Sequence, residues 1–315
     1  MRSLSAALLV SAPHFRIMQG FARIATSGYA PALAITLGFS LLTFLFPLAA
    51  IASGAIIVLL HIKNGFSFAV TTALMASVFL ALSSFSIYGH PGVGLSFAAL
   101  MWLPTLVVSY LYVATRSLSI TCQALVLIGI ALFLGSYLIV PDIEAAWTNL
   151  LNNALAPMLD RYGGPDTDKA SLITSIAKVM TGGIIASTLI QYTITLIAGR
   201  WLYGQLDNSQ PVGPEFRALR LGKILGFFAL ACALAALTLR ETFIIQLFIV
   251  SAALFGIQGL AILHSWSAAM TNRRPWLIIS YVLLFLLPQF FVVLITTGIL
   301  DTTIDFRRRF KGAAS

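Results

Sequence analysis

The sequence predicts an all-α fold, a polytopic transmembrane helical bundle of about 8–10 membrane segments. Three observations predict it. Of 315 residues, 59% are hydrophobic and only 9% are charged, against roughly 25% charged in soluble domains. The mean hydropathy is +0.95. The apolar residues gather into long runs that begin or end at a charge or at a Gly/Pro signal. A soluble fold of this length has too little interior to hide that much apolar surface, which excludes a soluble enzyme or regulator. Lipid then demands helices, because backbone groups in hydrocarbon must bond within their own segment. The net charge is +9, from 19 Lys and Arg against 10 Asp and Glu. These charges fall between apolar runs and form no patch, which suits membrane topology and excludes a nucleic-acid partner.

Residues 1–29 read as an interfacial amphipathic segment. Arg2 and the stretch Leu4 to Val10 resemble a weak signal peptide, but the stretch is short and Arg16 and Arg23 follow closely, so no cleavage is expected. From His14 to Ala25, Phe15, Met18, Phe21 and Ala25 share one helical face. Residues 30–300 form the bundle. Ala30 to Ile62 is too long for one ordinary span, and Pro47 lies at its middle. Proline removes a donor and clashes with the preceding turn. The expected arrangement is a span to about Phe46, a tight turn and a short second span; the alternative is one kinked helix. Further runs are Gly65 to Ile87, Val93 to Ala114, Leu118 to Val140, Gly182 to Leu202, Leu225 to Leu239, Phe243 to Trp266 and Trp276 to Leu300. Residues 301–315 form a basic tail. Cys122 and Cys232 lie inside apolar runs and read as small buried residues.

Charge placement supports the hairpin at Pro47. With a cytoplasmic N-terminus, Arg2, Arg16, Arg23, Lys63, Arg116, Arg200, Arg217, Arg220 and Lys223 all lie inside. The opposite connections are the uncharged Pro47 turn, Tyr88-Gly89-His90-Pro91-Gly92, and a net acidic loop over 141–181. Arg307, Arg308, Arg309 and Lys311 favour an inside tail as well, with the last run broken at Pro288 into a re-entrant hairpin. The expected location is the bacterial inner membrane.

Two connections carry their own pattern. In the outer loop, Ile143, Trp147, Leu150, Leu151, Leu155, Met158, Leu159 and Tyr162 recur at three and four residues, an amphipathic helix. A second short pattern, Leu172, Ile173, Ile176 and Met180, leads into the following span, and Gly163-Gly164-Pro165-Asp166 between the two is turn chemistry. In the inner loop over 203–223, Asp207-Asn208-Ser209-Gln210-Pro211 reads as a turn. Phe216, Leu219 and Leu221 beside Arg217, Arg220 and Lys223 suggest a helix lying on the interface.

No glycine-rich phosphate loop, H-E-x-x-H, C-x-x-C or G-x-S-x-G occurs. No nucleophile–base pair is visible, so the chain is expected not to be an enzyme and to need no metal or cofactor. No charge lies deep in a confident span, and Gln123, Gln191, Tyr192, Gln246 and Gln258 read as interhelical hydrogen-bonding groups. Small residues recur at close spacing: Ala30, Ala34 and Gly38, then Gly222 and Gly226, then Gly256 and Gly259. Such stripes let helices approach closely, either within the bundle or against a partner. The outer rim offers a candidate substrate site: Phe46, Tyr88, His90, Asp142, Glu144 and Trp147 supply aromatic walls, one imidazole and two carboxylates.

Gly199-Arg200-Trp201-Leu202-Tyr203, the stretch Glu215-Phe216-Arg217-Ala218-Leu219-Arg220-Leu221-Gly222, and Gly298 through Asp301 and Asp305-Phe306-Arg307-Arg308 resemble the YybS-like family of bacterial membrane proteins of unknown function. That family is similar in outline to the substrate-capturing S components of energy-coupling-factor vitamin transporters. The S-component likeness rests on the N-terminal half: the Pro47 turn, the short second span, His61-Ile62-Lys63-Asn64-Gly65, and Ala30 and Ala34 as an A-x-x-x-A stripe. It implies a small organic, vitamin-like ligand beneath the outer loops and a membrane coupling subunit docked on the first span. The chain departs in its extra spans and its long outer loop. The expected function is therefore a substrate-capturing membrane component of a small-molecule transporter. The rival expectation is a non-transporting scaffold or assembly factor, whose basic clusters, Arg217, Arg220 and Lys223 and then Arg307, Arg308 and Arg309, grip a cytoplasmic partner or anionic lipid.

Overall fold

The computed structural model describes residues 13–162, 166–206, 211–270 and 273–308. Arg2 and Leu4 to Val10, the Gly163-Gly164-Pro165 turn, the Asp207 to Gln210 turn, and Arg309 and Lys311 lie outside them. The described residues form thirteen helices and no strand: α1 (Pro13–Ala25), α2 (Tyr29–Leu42), α3 (Ala49–Asn64), α4 (Phe66–Tyr88), α5 (Gly92–Thr115), α6 (Leu118–Ile139), α7 (Ile143–Tyr162), α8 (Asp166–Leu206), α9 (Val212–Arg217), α10 (Lys223–Leu239), α11 (Thr242–Ala269), α12 (Arg273–Leu286) and α13 (Gln289–Ile304). Five helices are long and apolar enough to cross a membrane, or six with the bent pair α1–α2 counted as one span. The shorter apolar helices are α3, α10, α12 and α13. The architecture is a polytopic helical bundle.

The chain forms two compact units. Unit 1 comprises Met1–Thr121 with Gln191–Phe216; unit 2 comprises Cys122–Ile190 with Arg217–Ser315. At the centre of unit 1 stands α3, whose residues from Ser53 to His61 are all buried. A helix that is covered on every side has no lipid-facing stripe to sort, so its residues are apolar all round. It is also short, about 24 Å at 1.5 Å per residue, and needs no more length inside a shell of α2, α4 and α5. The turn at Pro47 is a hairpin and not a kink. Ser53 Oγ on α3 donates to the Thr36 carbonyl of α2 at 3.1 Å and lies 3.0 Å from Ser40 Oγ. Trp102 Nε1 of α5 donates to the same Ser53 hydroxyl at 3.2 Å. The lead-in helix α1 meets α2 at a bend of 112°, with Phe21 edge-on to Phe39 and Ala22 and Ala25 fully buried.

Unit 2 repeats the scheme around α11, buried continuously from Val250 to Gly259. Helix α13 crosses it at glycines. A Cβ on Gly259 would collide with the Leu294 carbonyl, and one on Gly298 with the Phe255 carbonyl. A Cβ on Gly226 would strike Thr302. These small residues serve packing within the unit. Gln258 uses the closeness: its amide nitrogen donates to the Gly298 carbonyl at 2.9 Å and its oxygen accepts the Leu221 N–H at 2.8 Å. In the outer loop, the two amphipathic stretches pack on each other, with Leu151, Ile173 and Ala177 buried beside Trp147, Leu155, Ile176 and Met180. The second stretch leads into the following span, as its sequence suggests, because α8 runs through both without a break. Cys122 and Cys232 are both buried.

The inner loop differs from its expectation. Helix α9 has only six residues, and residues 218–222 are not helical. Leu219 and Leu221, expected to lie on an interface helix, are almost wholly buried at 0% and 1% exposure. The reason is that side chains from other parts of the unit satisfy the backbone of this strap: Gln258 at Leu221, Gln123 at the Arg220 carbonyl, and Arg307 at the carbonyls of Arg217 and Leu219. The last apolar run breaks at Leu287-Pro288 into α12 and α13, and Arg307 ties the tail to the 217–221 strap.

Gly259→Ala and Gly298→Ala are expected to cost about 1–3 kcal/mol each through overpacking, read as a lower thermal midpoint in detergent. Gly38→Ala, where a Cβ meets nothing within 4 Å, is expected to leave the midpoint unchanged or raise it, since alanine favours the helix by about 0.5–1 kcal/mol.

Candidate functional site

The site begins with a buried cation. Gly199 has no Cβ, and one placed there would lie 2.5 Å from Val58 Cβ. The glycine therefore lets α8 come close to α3 and carries the next residue, Arg200, into unit 1. Only 6% of Arg200 is exposed. Its Nε donates to the Tyr112 hydroxyl at 2.8 Å and lies 3.4 Å from Glu215 Oε2. Tyr112 in turn donates to Glu215 Oε2 at 3.1 Å. The other carboxylate oxygen accepts the Leu118 N–H at 3.2 Å, one of the donors that the start of α6 leaves unpaired. The Arg200 guanidinium carbon stands 5.6 Å from the Tyr203 ring centroid, a cation–π distance.

These groups line a cavity of about 420 Å³ with Ile62, Val113 and Arg116. Arg116 caps α5 in the left-handed conformation, φ 53°, and its Nε reaches only its own Val113 carbonyl. Arg200 and Glu215 balance each other, so Arg116 leaves the cavity one positive charge in excess. Arg200 Nη1 is buried with no hydrogen-bond partner among the described residues. A buried donor left unsatisfied costs about 1–3 kcal/mol. Read from the sequence, Arg116 and Arg200 are topology charges and Glu215 is only a motif residue; none stands out as a site. The one sequence signal is Tyr112 four residues before Arg116, on the same helical face.

The rim residues divide between the units. In unit 1, Phe46 is exposed in the α2–α3 turn, Tyr88 is exposed at the end of α4, and His90 follows in the next turn, its carbonyl accepting from Ser84 Oγ. In unit 2, Asp142 caps α7 by accepting the Ala145 N–H at 2.9 Å. Glu144 sits in the first turn of α7, where a carboxylate suits the helix dipole. The Trp147 indole donates to Thr181 Oγ1 at 2.8 Å. Asp142 and Trp147 thus have structural tasks of their own.

Ala30, Ala34 and Gly38 are all exposed along one side of α2. The basic residues of the inner loop behave otherwise. Arg220 forms a two-pronged pair with Asp305 at 2.7 and 3.2 Å. Arg217 is half-buried, and its carbonyl accepts from Arg307 Nη1 at 2.7 Å. Arg307, a topology charge by its sequence, is buried and lies 3.4 Å from Asp301, which is 2% exposed. The 217–219 and C-terminal stretches are thus joined in space. His61 and Ser109, 48 residues apart, also meet unforeseen at 2.8 Å. The serine hydroxyl reaches the Leu106 carbonyl at 2.9 Å, so it is tied to the backbone and not poised as a nucleophile. Among the described residues no three His, Cys, Asp or Glu side chains gather as a metal would require.

Glu215→Gln removes the counter-ion of a buried guanidinium, which costs about 3–5 kcal/mol at a fully buried pair; a fall toward that size is expected in thermal unfolding, larger than for Tyr112→Phe. The Arg220 hydrogen bonds hold the Asp305 carboxyl below its ordinary 3.8. A depressed carboxyl contributes stability above its unfolded pKa and loses it as pH falls through the folded one. Unfolding measured from pH 6 down to below about 4 should therefore show a steeper acid loss in the wild type than in Asp305→Asn.

No curated protein and no solved structure matches the chain. A family described as a predicted membrane protein (DUF2232) matches residues 33–302, a stretch that holds most of α2, all of α3 and the Arg200 cavity. The chain belongs to this DUF2232 family of membrane proteins.

Proposed function

We propose that the chain is a substrate-capturing membrane component of a small-molecule transporter of the bacterial inner membrane, and that the unit 1 cavity holds the substrate. The observation that carries this reading is the buried Arg200 Nη1 without a partner among the described residues, beside a cavity of about 420 Å³. That volume falls within the range of small-ligand sites. The α2–Pro47–α3 hairpin, the short second helix and Gly65 at φ 97° support the likeness to S components. The exposed Ala30, Ala34 and Gly38 side of α2 supports docking of a coupling subunit. The outer rim is the weaker choice of site, because Asp142 and Trp147 are bonded within unit 2. The reading is of a binding subunit and not an enzyme, because the His61–Ser109 pair lacks an acidic third member and its hydroxyl is held by the backbone.

The scaffold reading has less to stand on. It needs Arg217 and Arg220 for an outside partner, whereas Arg220 holds Asp305 and the Arg217 carbonyl holds Arg307.

Native mass spectrometry of protein purified from its own host membranes is expected to show a bound small molecule. Arg200→Gln should lose it and Arg240→Gln should keep it; a wild-type preparation with no small molecule overturns the reading. Ala34→Leu is expected to release a co-purifying membrane partner, and a partner retained at full yield overturns the docking face.

A further inference from the structure

We infer that the unit 1 cavity recognises an oxyanion, a carboxylate or phosphate group on its ligand, held by the Arg200 guanidinium and Arg116, which both line it. This rests on the reading of that cavity as the substrate site and adds the chemical class. Each oxygen of the Glu215 carboxylate already accepts from within the unit: Oε1 from the Leu118 N–H, and Oε2 from the Tyr112 hydroxyl with Arg200 Nε close by. The Tyr112 hydroxyl has donated its proton and accepts from Arg200. The acceptors of the cavity are therefore engaged, while a donor on Arg200 remains. A cationic ligand would find a net positive site; a singly charged anion neutralises it.

Geometry agrees with charge. Tyr112 and the Tyr203 ring fix the plane of the Arg200 guanidinium, so its fork is oriented before the ligand arrives. A planar, pre-oriented fork matches the oxygens of a carboxylate or phosphate. Arg116 is exposed at the cavity edge, where it can draw an anion inward. Ile62 and Val113 add apolar wall, which suits a small organic body behind the charged head. Such a head has two sources, a soluble carboxylate or phosphate compound and the phosphate of an anionic lipid.

The test uses the full chain in a neutral detergent, with the ionic strength held constant by chloride. Inorganic phosphate and acetate are titrated while the thermal midpoint is followed. In a second arm, phosphatidylglycerol replaces phosphatidylcholine in mixed micelles. A saturable rise with phosphate or acetate supports the inference and assigns a soluble ligand. A rise with phosphatidylglycerol alone supports it and assigns a lipid head. Arg116→Gln should raise the half-saturating concentration roughly tenfold or more, as expected for a lost charge-assisted hydrogen bond. Arg200→Lys, which keeps the charge and loses the fork, should abolish the response. Arg240→Gln is the control: Arg240 also caps its helix in the left-handed conformation, φ 56°, and lies in unit 2. Should Arg200→Lys fail to fold, the Arg116 and Arg240 variants still decide. No saturable response in either arm overturns the inference, as does an Arg116→Gln titration identical to that of Arg240→Gln. A neutral or cationic molecule in the native mass spectrum overturns the anion class and leaves substrate capture standing. A phosphate response with no co-purified molecule does the reverse.

Discussion

Hydrocarbon offers a polar group no partner, and this constraint shapes every polar choice in the chain. In a bilayer an unpaired backbone or side-chain group costs several kcal/mol. The helices meet the demand for the backbone, and the hydroxyls meet it one turn back. Ser40 bonds the Thr36 carbonyl, Thr72 that of Phe68, and Thr105 that of Met101. Groups too long to fold back reach across to other helices: Trp102 to Ser53, Gln246 to the Gly182 N–H and the Tyr137 hydroxyl. Three buried polar atoms depart from that economy among the described residues: Thr36 Oγ1, Arg307 Nε and Arg200 Nη1. Of these residues, Arg200 lines the unit 1 cavity.

The two units solve one packing problem in the same way. Each holds a helix buried on all sides, α3 in one and α11 in the other. Each admits a second helix by removing a side chain, at Gly199 against α3 and at Gly259 and Gly298 between α11 and α13. Apolar burial adds little drive between helices in lipid, so close backbone contact and interhelical hydrogen bonds carry the association. Gln258 shows both together. It can bond the Gly298 carbonyl only because α13 lies so near, and from there it also holds the strap at Leu221.

The charged residues at the helix ends have a further part. Arg200, Asp301 and Arg307 are almost wholly buried, yet each lies near a helix terminus, where unpaired backbone groups collect. Arg307 fastens the tail to two carbonyls of the strap, and Glu215 takes an N–H at the start of α6. These bonds fix irregular backbone that lipid would not tolerate. In unit 1, Glu215 thereby also helps position Arg200 at the wall of a cavity.

The sequence alone determined the solvent, the helical class and the break points. Run length, Pro47 and Pro288 are local signals, and the structure breaks the helices at both prolines. Periodicity also found the helix α7 and the pattern that leads into the span of α8, but not that the two pack on each other. It did not disclose the inner strap or the cavity. Leu219 and Leu221 have the spacing of an interfacial helix, but tertiary hydrogen bonds from Gln258 and Arg307 hold that backbone open and bury both side chains. The cavity joins Tyr112, Arg200 and Glu215, which are 88 and 103 residues from one another along the chain. Nothing in periodicity or charge count can register such a meeting. A charge beside an apolar run has one appearance in sequence, whether it faces water or turns inward. Only the packing of α8 on α3 at Gly199 decided which way Arg200 would face.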